Sequence, residues 1–574
     1  MIPHATIEGG LVSLKIGGKI YPIRGIYLIF LLAVVLRFFG YQGLSGGDEL
    51  GYLDPIRDLA TGHYILTPGP YFNRWGLLLP ESFLYYLFGP RFGALITYPF
   101  LLSLLHLYLT YRLGRETTGK ESTGLLAALI LATLPEHVDH STSLLTDLPL
   151  GVFITLSFWL FFRANNPDQP RPPIYFFLSG FSWGLAYLCK ETAVLVIPVY
   201  LVFLGWNFWK RSRRITPGLA WGLGCLVLPL AEGFYYYFVY DDPLLRYTGV
   251  ELQHNLGLTL PYWTANPDLL WKRLFLDLFE SLMTRFEDTV LLFPLAGAAT
   301  AWVFFTRDRN FVRMAVWLWI YLLTLNFSST SLTYYHPLFI HVRYFFPVFT
   351  PAAILCTGFL AALRRGFRDR IISPPVWKGA GTLLSVALLG ALFRDVLFQF
   401  LFLALVMILF WTLHRLRRGQ QGPRRLAWLP PAMLVVQSGM VIVVLLKPHP
   451  VRPFPRLDAQ VLALIQKNGP FLLYSDPLSI KTFEFLDQYQ HPERFVDYYP
   501  LSLDQLGPGY LWRQDHRLKL IAKHHVPPPP YILSPPPAWQ PLFTKSDKKE
   551  QYILYWIPSS GRKNLPADDK ARLP

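Results

Sequence analysis

Apolar positions along this chain fall in long runs rather than in the alternating or 3.6-residue patterns of a water-soluble core. Runs near 25–41, 92–111, 122–134, 147–162, 174–189, 192–209, 217–240, 289–306, 314–328, 344–363, 379–393, 396–413 and 427–446 each approach the roughly 20 apolar residues that a helix needs to cross a bilayer. The pattern predicts about thirteen transmembrane helices and two domains: a membrane module over 1–446, with large connecting segments at 42–91 and 241–288, and a tail over 447–574. In the tail, FLLYSD and QYILYWIP read as strands, Ala459–Lys467 and Ser479–Gln488 as helices, and YILS between two proline runs as a further strand. The fold class expected is therefore an α-helical polytopic membrane protein with a small C-terminal α/β domain.

Composition agrees with that class. Of 574 residues, 52% are hydrophobic and only 16% charged, against about 25% charged in soluble domains. The three cysteines, Cys189, Cys225 and Cys356, lie in apolar surroundings and imply no disulfide framework. A net charge of +16 could suggest nucleic acid, but the distribution of the charges argues against it. With the N-terminus on the cytoplasmic side and spans alternating, the inner connections up to residue 446 hold 25 Lys and Arg and the longer outer ones ten. That is the positive-inside pattern. It sets the N-terminus inside and, with an odd number of spans, the tail outside; nucleic acid is not an expected partner.

The first outer segment reads SGGDELGYLDPIRDLATGHY from Ser45 to Tyr64. Asp48 and Glu49 follow the Gly46-Gly47 break directly. Short interfacial helices are expected over Tyr52–Leu59, stopping at Gly62, and over Asn73–Phe88, ending at Gly89-Pro90. A carboxylate at the edge of a low-dielectric cavity can act as a general base toward a hydroxyl. By position alone, Asp48 suits a helix cap equally well.

Six short motifs in chain order carry a resemblance. GDELGY with Gly62, NRWGLLLPESFLYYLFG, LPEHVDHSTSLLTDLPLGVF, GLAYLCKETAVLVIP, DDPLLRY and HVRYFFPVF resemble elements of the GT-C glycosyltransferases. The likeness is to the bacterial branch related to protein O-mannosyltransferases and to the transferases of aminoarabinose and galacturonate onto lipopolysaccharide. It covers about residues 25–363. Leu50-Gly51 and Asp54-Pro55 depart from the family's usual surroundings of Asp-Glu, which bears on the acceptor rather than on the class.

The resemblance implies an inverting glycosyltransferase in a bacterial inner membrane. Its donor would be a polyprenyl-monophosphate sugar, and its acceptor a lipid, glycan or protein of the envelope. Asp48, Glu49 and Asp147 are then the candidate catalytic acids, and Arg343, Arg74 and Lys190 the candidate phosphate ligands. Each has a plainer reading: Asp147 as a first-turn acid favoured by its helix dipole, Lys190 and Glu191 as an interfacial ion pair, Arg343 as a snorkelling side chain. Glu232, among Tyr235, Tyr236, Tyr237 and Tyr240, reads as part of an aromatic belt or of a sugar-stacking wall. No cofactor is required by the sequence. A divalent metal has no support from the spacing of His137, His140, His336 and His341. The competing class is a transporter or flippase of lipid-linked sugars. No internal repeat of the hydropathy pattern favours it.

Overall fold

The computed structural model describes residues 6–8, 11–16, 19–41, 48–166, 172–209, 215–249, 267–284, 289, 291–330, most of 335–369, 373–390, 406–408, scattered positions over 432–442, 454–466, 471–515, 518, 527–547 and 550–558. Two compact units are present. The first comprises Met1–Tyr41, Ile65–Glu81 and Ile96–Lys447; the second comprises Gln42–Tyr64, Ser82–Leu95 and Pro448–Pro574.

The chain opens with three antiparallel strands, β1 (Thr6–Glu8), β2 (Leu11–Ile16) and β3 (Lys19–Arg24). Helices follow: α1 (Gly25–Gly40), α2 (Asp48–Thr61), α3 (Trp75–Phe88), α4 (Phe92–Thr118), α5 (Glu121–Ala132), α6 (Pro135–His140), α7 (Asp147–Ala164) and α8 (Pro172–Cys189). A 3-10 turn, Glu191–Val196, leads into α9 (Ile197–Asn207), and then come α10 (Thr216–Tyr240), α11 (Pro267–Phe275), α12 (Asp277–Thr284), α13 (Leu292–Thr306) and α14 (Arg309–Phe327). A second 3-10 turn, Val342–Phe345, precedes α15 (Phe346–Asp369) and α16 (Pro374–Gly390). Among the described residues, five helical stretches are long and apolar enough to cross a membrane: Phe92–Thr118, Asp147–Ala164, Thr216–Tyr240, Arg309–Phe327 and Val342–Phe367. Shorter apolar helices accompany them. The expected spans at 396–413 and 427–446 fall largely outside the described residues.

In the first unit, α15 is the central helix. Its apolar window is 94% buried, whereas that of α10 is 22% buried and turns most of its Leu, Phe and Tyr side chains outward. An exposed apolar face of this kind is the face a bilayer covers. Between helices in lipid, close backbone approach replaces the hydrophobic effect as the packing force. The α8–α10 pair shows this: a Cβ on Gly180 would collide with the Trp221 carbonyl, and one on Gly224 with the Phe177 carbonyl.

In the second unit the tail forms α17 (Phe454–Gln466), β4 (Leu473–Ser475), α18 (Pro477–Leu486), β5 (Phe495–Asp497), β6 (Gly509–Gln514), α19 (Pro530–Leu533), β7 (Gln540–Asp547) and β8 (Glu550–Ile557). The sheet order is β5-β4-β6-β8-β7, with β4 parallel to both neighbours and β8 antiparallel to its own. Trp512, fully buried, anchors one face and donates to Asp458 at 2.9 Å. Helix α2 packs on α18 within this unit, with Asp54 paired to Lys481 at 2.6 Å and Arg57 over the Tyr489 ring at 4.6 Å. YILS is a helical turn rather than the expected strand. Prolines ahead of it fix φ near the helical value, which suits a first turn, and the Tyr531 hydroxyl donates to the carbonyls of Tyr498 and Leu501, both at 2.8 Å.

Candidate functional site

Three chain reversals at one end of the first unit build the site. Asp147 is the first residue of α7, with Thr146 as N-cap. Lys190 follows the last residue of α8 in an extended conformation (φ −160°, ψ 138°). Arg343 lies in the 3-10 turn before α15, where His341 Nδ1 accepts from its backbone N–H at 3.3 Å. Lys190 Nζ donates to Asp147 Oδ1 at 2.6 Å, with both side chains almost wholly buried. The same ammonium lies 4.4 Å from the centre of the Tyr344 ring, and the Arg343 guanidinium 5.6 Å from that ring. Tyr321 holds Tyr344 in place through a 2.7 Å bond to its carbonyl. Two cations therefore lie against a single aromatic ring, one of them paired with a buried carboxylate.

Glu191, next in sequence, opens a second cluster. It accepts from Arg74 at 3.2 Å and lies 4.0 Å from Arg246. Arg246 is buried; it donates through Nε to Glu232 at 3.0 Å and through Nη2 to Glu232 and, at 2.6 Å, to the Asn73 carbonyl. Glu232 also accepts from Tyr236, which accepts from Trp75, both at 2.9 Å. Burial alone would lower the proton affinity of Arg246; the Glu232 carboxylate outweighs it and holds the guanidinium charged. His140, on α6, is likewise buried. Desolvation pulls its pKa down to about 4 against the pull of Asp147, so it is neutral at physiological pH.

Of the residues expected from sequence, Asp147, Lys190 and Arg343 thus share one cluster, and Arg74 joins Glu191 in the adjoining one. Lys190 and Glu191 each pair with a different partner rather than with each other. Asp48 and Glu49 open α2 in the second unit; Glu49 is buried and Asp48 half-buried, both in the first turn, where the helix dipole favours a carboxylate. Sequence reading missed Arg246, although DDPLLRY had been noted as a motif. It also missed a polar seam inside the bundle. There the buried Arg37 donates to Ser103 at 2.9 Å and contacts His137 at 2.9 Å, His137 contacts His106 at 3.2 Å, and His106 reaches Thr155 and Thr350. An arginine in a span is itself the signal that could have revealed it. Among the described residues, no group of three or more His, Cys, Asp or Glu could hold a metal ion.

These features define a polytopic membrane fold with its charged groups gathered where helices end. The fold is shared with ArnT from Cupriavidus metallidurans in its structure with bound undecaprenyl phosphate (18% identity over 94% of this chain and 99% of that one, TM-score 0.51). It is shared also with the Archaeoglobus fulgidus oligosaccharyltransferase in the apo form (13% identity, 89% and 71% coverage, TM-score 0.51). Residues 81–237 match the family model described as dolichyl-phosphate-mannose-protein mannosyltransferase. An uncharacterized protein of Aquifex aeolicus (strain VF5) is 26% identical over 226 residues, which is 37% of this chain and 44% of that relative's own length.

Proposed function

We propose that this protein is an inverting glycosyltransferase that takes a sugar from a polyprenyl-monophosphate carrier to a lipid, glycan or protein acceptor at the outer face of a bacterial inner membrane. The family match over residues 81–237 supports the class of reaction. The observation that carries the site is the convergence of Lys190 and Arg343 on the Tyr344 ring beside the buried Asp147. A phosphate monoester gains charge as its sugar leaves, and two fixed cations in a water-poor cluster stabilise that charge most effectively. Asp147 holds Lys190 in a single orientation, so little reorganisation accompanies the reaction. The charge asymmetry of the connections supports an outer location for the tail, and with it for α2.

In this reading Asp48 removes the proton from the acceptor hydroxyl while its oxygen attacks C1 of the sugar. The C1–O bond to phosphate breaks in the same displacement, so the anomeric centre inverts. Glu49 shares the first turn of α2 and is the alternative base. The test is transfer from a defined polyprenyl-phosphate sugar by purified wild type and Asp48→Asn. Asparagine keeps the size and the capping ability of aspartate but accepts no proton, and loss of a general base costs about 10²–10⁴ in rate. Wild-type turnover in the Asn form would remove Asp48 from the mechanism. Absence of any glycosyl product from active wild-type protein, with lipid-linked sugar moved across vesicles, would replace the transferase with a transporter.

A further inference from the structure

The far end of the bundle carries a second set of charged and polar groups that transfer chemistry does not use. Helix α7 has 18 residues, so its two ends are about 27 Å apart, close to the thickness of the bilayer core. Asp147 is at one end. At the other, a cavity of about 510 Å³ opens between α4, α7 and α14, with Arg163, Arg313, Asn165, Asn166 and Asn310 among its polar lining and Phe162 and Met314 among its apolar lining. A neighbouring cleft of about 390 Å³ shares Phe162, Asn165 and Arg313 and adds Arg309 and Trp206.

Among the described lining residues, two arginines face one acid. Arg163 stacks on Trp159 at 4.9 Å and on Tyr175 at 5.7 Å, and among the described residues no carboxylate pairs with it. The Arg313 guanidinium lies 5.9 Å from the Phe162 ring. Glu116, the one acid among the described lining residues, is already held by Arg112 at 2.7 Å and by the Trp159 indole N–H at 3.0 Å. Asp308 caps α14 by accepting from Asn310 at 3.0 Å. The N-terminal turn of this 19-residue helix, with its positive dipole end, therefore borders the same cavity.

We infer that this cavity binds the phosphodiester head group of an anionic phospholipid from the leaflet opposite the Asp147 cluster. Guanidinium groups and asparagine N–H donors match phosphate oxygens. The apolar wall of Phe161, Phe162, Phe203 and Trp206 matches the start of an acyl chain. A free inorganic anion would use the first set of contacts and leave the second bare. A loop that merely obeys the positive-inside rule needs neither a cavity nor an aromatic wall.

The experiment uses the full-length protein in detergent. Native mass spectrometry and thermal unfolding are followed while phosphatidylglycerol, phosphatidylcholine of the same chains, or inorganic phosphate is added. Phosphatidylglycerol should bind and raise the melting temperature, and the other two should not. Arg163→Gln/Arg313→Gln should weaken phosphatidylglycerol binding by about tenfold or more, the lipid-induced rise being read against the variant's own lipid-free melting temperature. Arg163→Lys should keep most of the binding, because the charge remains. Equal binding of both phospholipids, full binding by the double variant, or an equal effect of inorganic phosphate would each overturn the inference.

Discussion

Removing Lys190 exposes the energetics of the candidate site without reference to any substrate. The Lys190–Asp147 pair is 2.6 Å apart, with side chains 4% and 2% exposed. At an effective dielectric of about 20, two unit charges at that distance attract by roughly 6 kcal/mol. Desolvation of each ion costs several kcal/mol, so the pair as a whole contributes little to folding. Its partners cannot be removed one at a time so cheaply. Lys190→Met leaves the Asp147 carboxylate buried with its main counter-charge gone, and breaking a buried pair this way costs about 3–5 kcal/mol. Asp147→Asn leaves the ammonium in the same position. The double variant Asp147→Asn/Lys190→Met removes both charges and should recover most of that loss, giving a coupling energy of at least about 2 kcal/mol in a double-mutant cycle. The assay is unfolding of the four purified forms in one detergent, scored by melting temperature and by denaturant midpoint. If Lys190→Met melts with the wild type, or if the two single losses simply add, the pair is not the buried, mutually dependent unit described here.

Glu81, on α3, is fully buried, and among the described residues neither carboxylate oxygen has a hydrogen-bond partner. Burial raises its pKa well above the ordinary 4.5. Its contribution is therefore favourable below that value and is lost as pH rises through the folded-state pKa. Glu81→Gln should match the wild type in melting temperature near pH 4 and exceed it by a margin that grows toward pH 8; a margin independent of pH would refute this. On α10, Gly224→Ala should lower stability by about 1–3 kcal/mol through overpacking, because its Cβ meets the Phe177 backbone. Gly222→Ala, one half-turn away in open space, should be neutral or slightly stabilising; equal melting of the two variants would show that the α8–α10 crossing is not tight.

The apolar helices were legible as runs because lipid needs only length and apolarity, and five of those described are long and apolar enough to span. The described helices begin and end within a few residues of the expected runs, apart from α4, α14, α15 and α16, which extend further at one end. Gly62 and Gly89 were also legible as stops, and both adopt positive φ, at 77° and 73°. The N-terminal hairpin pairs β2 with β3 across segments whose lysines, Lys15 and Lys19, also carry the topology signal. In the tail, β5, three residues long, lacks the length that separates a strand from a loop by pattern. Pairings were the hardest to see. Lys190 stands beside Glu191 in sequence yet pairs with Asp147, 43 positions earlier, because the helix ends that bring them together are set by packing. Arg246 sat in a polar connection where nothing distinguished it from a surface charge until Glu232 closed over it.

The pairing of Asp54 with Lys481 spans 427 positions. At about 5–20 residues per second, a ribosome needs roughly 20–90 s to make the intervening chain. Throughout that time α2, which carries Asp48, has none of its packing against α18. A polypeptide released early would carry a family-matching segment in the bilayer but no settled α2. Coupling α2 to a residue made 427 positions later means that α2 gains this packing only after α18 has been made. For the cell, this is a form of quality control without any dedicated machinery: a chain stopped before α18 never acquires the packed α2.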